Sequence, residues 1–223
     1  MNADLLIFDC DGVLVDSEPI MNRAHVEILT ACGYPITEGE LMERFCGMSD
    51  PEMLAIIESE RGGALPPSYA ERVEEIIEQG FRRSLAAMPG VADVLDSLPL
   101  ALCVASSSTL GQIRRKLELT GLLARFGDKL FSAAMVEHGK PAPDLFLYAA
   151  AQMDAAPGHC LVVEDSPAGI RAACAAGMVA IGFCGGSHCR PGHGSRLQAL
   201  GAALVIANMS ELFDAVAQLS PIR

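Results

Sequence analysis

The segment Leu5-Leu6-Ile7-Phe8-Asp9-Cys10-Asp11-Gly12 constrains this chain more than any other stretch. An apolar run of strand length ends on two carboxylates and a glycine. In an open α/β sheet, ligands bind beyond the carboxyl ends of the strands. Positions i and i+2 of an extended chain face the same side. Asp9 and Asp11 therefore offer one carboxylate to a metal or phosphorus centre and a second for proton transfer. Gly12 lets the chain turn sharply with no Cβ in the way.

The rest of the sequence repeats the strand motif. Apolar runs at 100–105, 129–132, 160–163, 178–183 and 203–206 read as strands, and helical periodicity falls between them at 109–119, 143–153, 167–176 and 210–219. Alternation of this kind predicts a doubly wound, mostly parallel α/β sheet covered by helices on both faces. Residues 17–86 break the alternation with four helix candidates, at 17–31, 37–45, 50–61 and 68–86. In the first, Ile20, Ala24, Ile28 and Ala31 share a face; in the last, Val73, Ile76, Ile77 and Phe81 do. The expected organisation is an α/β core of residues 1–16 and 87–223 with an inserted α-helical domain at 17–86. This insert holds thirteen acidic and six basic residues, so it carries -7 of the total charge of -12.

That charge disfavours nucleic acid and anionic membrane surfaces as partners. No apolar stretch approaches the ~20 residues of a membrane span. The opening residues lack a basic region, a long apolar region and a cleavage site, so the expected location is the cytoplasm. The eight cysteines agree, since no CxxC pair occurs and most lie in apolar runs.

Three further polar sites stand at strand ends or in nearby loops. Ser106 is either a helix N-cap or a hydroxyl aimed at a phosphate oxygen. Lys140 sits between Gly139 and Pro141 in a stiff loop that opens a helix, while Asp144 reads as a helix-start acid. Glu164-Asp165 follows Leu161-Val162-Val163 directly. Two acids at the end of a buried strand call for a cation, and Mg²⁺ takes carboxylate, phosphate and water oxygens. Asp165 or Ser166 can also serve as an N-cap.

Together, Asp9-x-Asp11-Gly12, Ser106, Lys140 and Glu164-Asp165 resemble the four motifs of the haloacid dehalogenase-like (HAD) superfamily. The surrounding DCDGVLVDSE, GKPAPD and VVEDSPAGI are similar too, in particular to its sugar-phosphatase and β-phosphoglucomutase-like branch. The resemblance implies a HAD-like Rossmannoid core with an α-helical cap. It also implies a Mg²⁺-dependent phosphatase acting through an aspartyl-phosphate. Asp9 would be the nucleophile and Asp11 the general acid and base. Ser106 and Lys140 would hold phosphoryl oxygens. Asp9, the Asp11 carbonyl and Asp165 would bind Mg²⁺, with Glu164 a further ligand or an acceptor behind the ligands. Haloacid dehalogenase chemistry itself is disfavoured, because that branch lacks the second aspartate and the metal.

A phosphosugar mutase is the alternative enzyme, but the histidine and arginine expected of mutases are replaced here by Met21 and Asp50. A non-catalytic binding protein of the same fold would have no need of Asp11. The implied partner is a small phosphorylated metabolite, a sugar or sugar-acid phosphate, with 6-phosphogluconate-like compounds suggested by overall similarity to one bacterial phosphatase. The expected assembly is a monomer or weak dimer. Arg44 and Gly47, from the glycine loop of the insert, are further substrate-binding candidates, as is Ser107 with Ser108 beside it. Arg44 reads equally as an exposed helix-end charge. Cys184, His188, Cys189 and His193 hold zinc-type ligands, yet C-x3-H-C-x3-H matches no finger pattern. A flexible loop is the expectation there, and His25 and His159 read as ordinary helix and turn residues.

Overall fold

The computed structural model describes residues 3–45, 48 and 50–220. Two compact units emerge: the chain up to Asp16 together with that from Ala86 onward, and Ser17–Leu85.

The first unit contains six strands, β1 (Leu5–Phe8), β2 (Ala101–Ser106), β3 (Leu130–Ser132), β4 (Cys160–Glu164), β5 (Val179–Phe183) and β6 (Leu204–Ile206). They form one sheet in the order β3-β2-β1-β4-β5-β6, and every pairing is parallel. The chain leaves β1 toward one edge and returns on its other side with β4. That reversal of direction opens a crevice at the carboxyl ends of β1 and β4, the usual place for a ligand in a doubly wound sheet. The register puts Phe8 level with Val104 on one side and Val163 on the other. One residue further along, Asp9, Ala105 and Glu164 come abreast, and the Asp9 amide donates to Val163 O at 3.0 Å.

Helices α5 (Val91–Ser97), α6 (Leu110–Leu119), α7 (Leu123–Phe126), α8 (Asp144–Gln152), α9 (Pro167–Ala175), α10 (His193–Ala199) and α11 (Leu212–Leu219) complete this unit. Alternate residues of β1 serve opposite faces. Leu5 and Ile7 join Cys103, Val162, Leu145, Phe146 and Ile170 in one core, while Phe8 meets Phe126 edge-on at 6.1 Å between ring centres. The short helices α5, α7 and α10 were not anticipated from periodicity. Each spans at most seven residues, too few turns for a helical stripe to stand out.

The second unit is all helical, with α1 (Glu18–Ala31), α2 (Glu38–Phe45), α3 (Asp50–Arg61) and α4 (Tyr69–Ser84) around their own core. Along α4, Val73 and Phe81 are buried as expected, and Ile76 and Ile77 pack against the same core. Along α1 the buried stripe is Ala24, His25, Ile28 and Leu29, not the face through Ile20 and Ala31. His25 can be buried because its Nδ1 pairs with Tyr69 Oη at 2.9 Å, and burial lowers its basicity. At the α1–α4 contact a Cβ on Gly80 would lie 2.4 Å from Ile20 Cγ2, so any larger residue would force the Ile20 side chain to move.

Candidate active site

The turn after β1 is closed by Leu14 and Val15 amides donating to Cys10 O and by the Gly12 amide donating to Val15 O. Gly12 takes φ +75°, and a Cβ there would sit 1.8 Å from Asp165 Oδ2. The glycine thus serves both the turn and the approach of β4's acidic end.

Lys140 is the hub. Its side chain is 4% exposed, and Nζ donates to Asp9 Oδ1 at 2.8 Å, Glu164 Oε1 at 2.7 Å and Ala105 O at 3.0 Å. These acceptors are the three groups that the register brings abreast. Burial works against the ammonium, but Asp9 and Glu164 outweigh it and raise Lys140 above an ordinary lysine. Asp9 is buried, and its carboxyl lies well above the usual range. Desolvation is the main cause, Lys140 opposes it, and Glu164, Asp165 and Asp11 add to it.

Glu164 is fully enclosed, its Oε2 accepting from the Ser166 amide at 2.8 Å and from Ser166 Oγ at 2.9 Å. Ser166 also caps α9 by accepting from the Gly169 amide, so the cap falls to Ser166 and not to Asp165. Oxygen atoms of Asp9, Glu164 and Asp165 lie within 4.8 Å of one another. This buried set of carboxylate oxygens, with a glycine making room for Asp165, suits a hard divalent cation.

The loop after β2 is organised around hydroxyls. Ser106 is buried, and its Oγ accepts from the Ser108 amide at 3.1 Å. The N-cap of α6 is Thr109, in a reciprocal capping box with Gln112, so Ser106 is not the cap. Ser107 is exposed. Ser108 Oγ donates to Asp11 Oδ2 at 2.9 Å.

Asp11 also has a buried cation that the sequence pattern does not mark. Lys116, 3% exposed on α6, places Nζ 2.5 and 2.6 Å from the two Asp11 oxygens and 2.9 Å from Ser108 Oγ. Burial again works against the charge, and Asp11 more than restores it. In sequence Lys116 sits in Arg114-Arg115-Lys116, which reads as a solvated basic run. The available signal was its spacing of i+3 from Ile113, on the buried stripe of α6.

The segment from Cys184 to His193 is not a loose loop. Ser187 Oγ donates to Asp16 Oδ1 at 2.7 Å, His188 Nε2 lies 3.0 Å from Asp165 Oδ2, and His193 Nε2 lies 2.6 Å from Asp165 O. Burial opposes charge on His188, yet Asp165 and Cys189 push it up to about 11. Burial pushes the Cys10, Cys103, Cys160 and Cys184 thiols up. For Cys189 burial is outweighed by His188 and His193, and the thiol goes down.

Of the remaining candidates, Arg44 lies in the helical unit. Its guanidinium is held by Glu60 at 2.6 and 2.8 Å and by Tyr34 Oη at 2.8 Å. Gly47 lies outside the described residues. His159 pairs with Asp4 at 2.8 Å.

A buried carboxylate just past β1, a lysine paired with it and an acidic pair where β4 ends stand together at the carboxyl edge of a Rossmann-like sheet. The haloacid dehalogenase-like hydrolase family matches residues 3–177, and the chain belongs to it. It is 33% identical to 6-phosphogluconate phosphatase of Escherichia coli over 84% of this chain and 86% of that protein. Its structure superposes on a conserved haloacid dehalogenase-like protein from Agrobacterium tumefaciens with a TM-score of 0.89 and 40% identity, covering 98% and 99% of the two chains. A HAD family hydrolase from Deinococcus radiodurans with bound phosphate and sodium gives a TM-score of 0.82 at 31% identity, covering 97% and 96%.

Proposed function

We propose that this enzyme is a Mg²⁺-dependent phosphatase of a small sugar or sugar-acid phosphate, working through an aspartyl-phosphate on Asp9. One observation carries the reading: Asp9, Glu164 and Asp165 share a single buried oxygen cluster with the Lys140 ammonium set against Asp9 and Glu164.

The carboxylates of Asp9 and Asp165 and the backbone carbonyl of Asp11 would hold Mg²⁺, with Glu164 beside them. When bound, the ion supplies positive charge between a carboxylate nucleophile and an anionic phosphate. In the first step an Asp9 oxygen bonds to phosphorus while the bond from phosphorus to the sugar oxygen breaks. Asp11 gives its proton to that departing oxygen. In the second step Asp11 takes a proton from water, whose oxygen displaces Asp9 from phosphorus and releases inorganic phosphate. Lys140 and the Ser106 hydroxyl hold phosphoryl oxygens through both steps, where charge accumulates.

The name of the 6-phosphogluconate phosphatase relative supports a sugar-acid phosphate substrate. A mutase is less well supported. Where mutases are expected to carry an arginine this chain has Asp50, which lies 3.7 Å from His25.

The test is phosphate release from a panel of sugar phosphates and sugar-acid phosphates, with and without Mg²⁺. Turnover of at least one member that requires Mg²⁺ is expected. Folded protein that releases phosphate from none would overturn the proposal.

A further inference from the structure

His188, Cys189 and His193 stand next to the acidic cluster but offer a different chemistry. One ligand atom from each falls within 4.8 Å of the other two. Cys189 Sγ is 3.5 Å from His188 Nε2. An ion bound tetrahedrally at about 2.0–2.1 Å from nitrogen and about 2.3 Å from sulfur separates those two ligands by about 3.5 Å. The sulfur and nitrogen are already at the spacing of two ligands around one ion. An oxygen is also within reach, since Asp165 Oδ2 lies 3.0 Å from the same imidazole nitrogen.

The cluster is built rather than fortuitous. Its loop is tied to the core by Ser187 on Asp16. The His188 ring lies where Gly12 and Gly186 have no side chain: a Cβ would come within 2.8 Å of Cε1 on the first and 2.6 Å on the second. His188 Nδ1 is buried with no hydrogen-bond partner, so the polar contacts of this ring all run through Nε2, the nitrogen that faces Asp165 and Cys189. Cys184 is not part of the cluster. Its thiol is directed to Ile206 O at 3.4 Å. The C-x3-H-C-x3-H spacing therefore misleads, because Cys184 stands apart while Asp165, distant in sequence, contacts both histidines.

We infer that His188, Cys189 and His193, with Asp165 as the fourth donor, form a second metal site that takes Zn²⁺ or a similar borderline divalent ion. Thiolate and imidazole select such ions over Mg²⁺, which prefers oxygen. Asp165 is shared with the acidic cluster, so an ion here competes for a carboxylate of the hydrolytic site. That consequence rests on the function proposed above; the binding itself does not.

Chelator-treated full-length protein titrated with Co²⁺ tests the site directly. Expected is a thiolate-to-cobalt charge-transfer band that saturates at equimolar ion, is displaced by Zn²⁺ and persists in excess Mg²⁺. Cys189→Ser should abolish the band and Cys184→Ser should keep it. His193→Ala should weaken Co²⁺ binding by more than the ~10–100-fold that loss of an outer partner costs. No band in the wild type, or a band that survives Cys189→Ser, would overturn the site. Phosphate release in Mg²⁺ with rising Zn²⁺ then tests the sharing of Asp165. Cys189→Ser should need at least ~10-fold more Zn²⁺ for half-inhibition than the wild type. Equal sensitivity would remove the sharing and leave the spectroscopic result standing.

Discussion

Lys116 Nζ lies between the two carboxylate oxygens of Asp11, at 2.5 and 2.6 Å, and so ties α6 to the turn that follows β1. With Ser108 Oγ on the same carboxylate, the residue expected to move the proton is held in one orientation. A second lysine, Lys140, holds Asp9. The two aspartates stand two residues apart, and each has its own buried cation.

Lys116 should therefore act through Asp11, as a positioning residue. Lys116→Met should lower kcat/KM for alkyl phosphates by about 10–100-fold, at or below the lower end of the ~10²–10⁴-fold that a positioned general acid contributes. p-Nitrophenyl phosphate, whose phenolate leaves without a proton, should lose far less in the first step. The measurement is kcat and KM for both esters under saturating Mg²⁺. Equal losses of kcat/KM, which reports the first step, on the two esters would reduce Lys116 to a purely structural role.

Asp9→Asn removes the carboxylate proposed as nucleophile while keeping size and much of the hydrogen bonding. Turnover should fall by about 10⁴-fold or more, as when a covalent nucleophile is deleted elsewhere. Phosphate release by quenched assay measures this, with acid-stable incorporation of labelled phosphate absent from the variant. Residual turnover near the wild-type level would place the nucleophile elsewhere.

Lys140 is the main neutralising charge for two buried carboxylates, and breaking such a pair by removing one partner typically costs about 3–5 kcal/mol. Lys140→Met should lose stability on that scale in urea titrations made without metal. Mg²⁺ should recover more stability in the variant than in the wild type, because the carboxylates then have no other cation. An identical Mg²⁺ effect on both proteins would count against the ion sharing Asp9 and Glu164 with Lys140.

His188 predicts a pH dependence whose sign can be worked out. Its unfolded value is about 6.5, and Asp165 and Cys189 hold it near 11 in the native state against the effect of burial. Between those values native His188 holds a proton that the unfolded chain has released, so its contribution to stability falls as pH rises; His193 adds to that slope and the lowered Cys189 thiol opposes it. In chelator, unfolding free energy should decline from about pH 6.5 toward alkaline pH, and His188→Gln should flatten that decline. Parallel curves for the two proteins would show that His188 does not carry the charge.

The alternation of buried strands and helices was legible because parallel strands are apolar on both faces, as in Leu5–Phe8 and Cys160–Val163. The chemistry at their ends was legible for the same reason: Asp9, Ser106 and Glu164 are polar residues that close apolar runs. Lys116 was hidden by its neighbours, since Arg114 and Arg115 make it look solvated. The α10 helix was hidden by length and by Gly194 inside it. The cluster around Cys189 was only partly legible, because His188, Cys189 and His193 stood out as ligand types but the spacing grouped them with Cys184, and nothing local points to the contact with Asp165. Contacts made across the sheet do not leave a local pattern.

Two glycine substitutions test how tightly Glu164 is held. In a helix interior alanine is favoured over glycine by up to about 1 kcal/mol. At Gly111, in the first turn of α6, a Cβ would meet nothing within 4 Å, so Gly111→Ala should stabilise by a part of that, a few tenths of a kcal/mol. At Gly169 in α9 the same Cβ would lie 1.8 Å from Glu164 Oε1 and 1.9 Å from its Cδ. Glu164 is fully buried and fixed by Lys140 and Ser166, so it cannot swing aside cheaply. Gly169→Ala should reverse the usual sign, lowering both stability and Mg²⁺-supported turnover, while Gly111→Ala leaves turnover unchanged. Urea titrations and phosphate release on the two variants settle the comparison. A stable, fully active Gly169→Ala would mean that Glu164 has freedom its hydrogen bonds do not suggest, and that Lys140 does not depend on it.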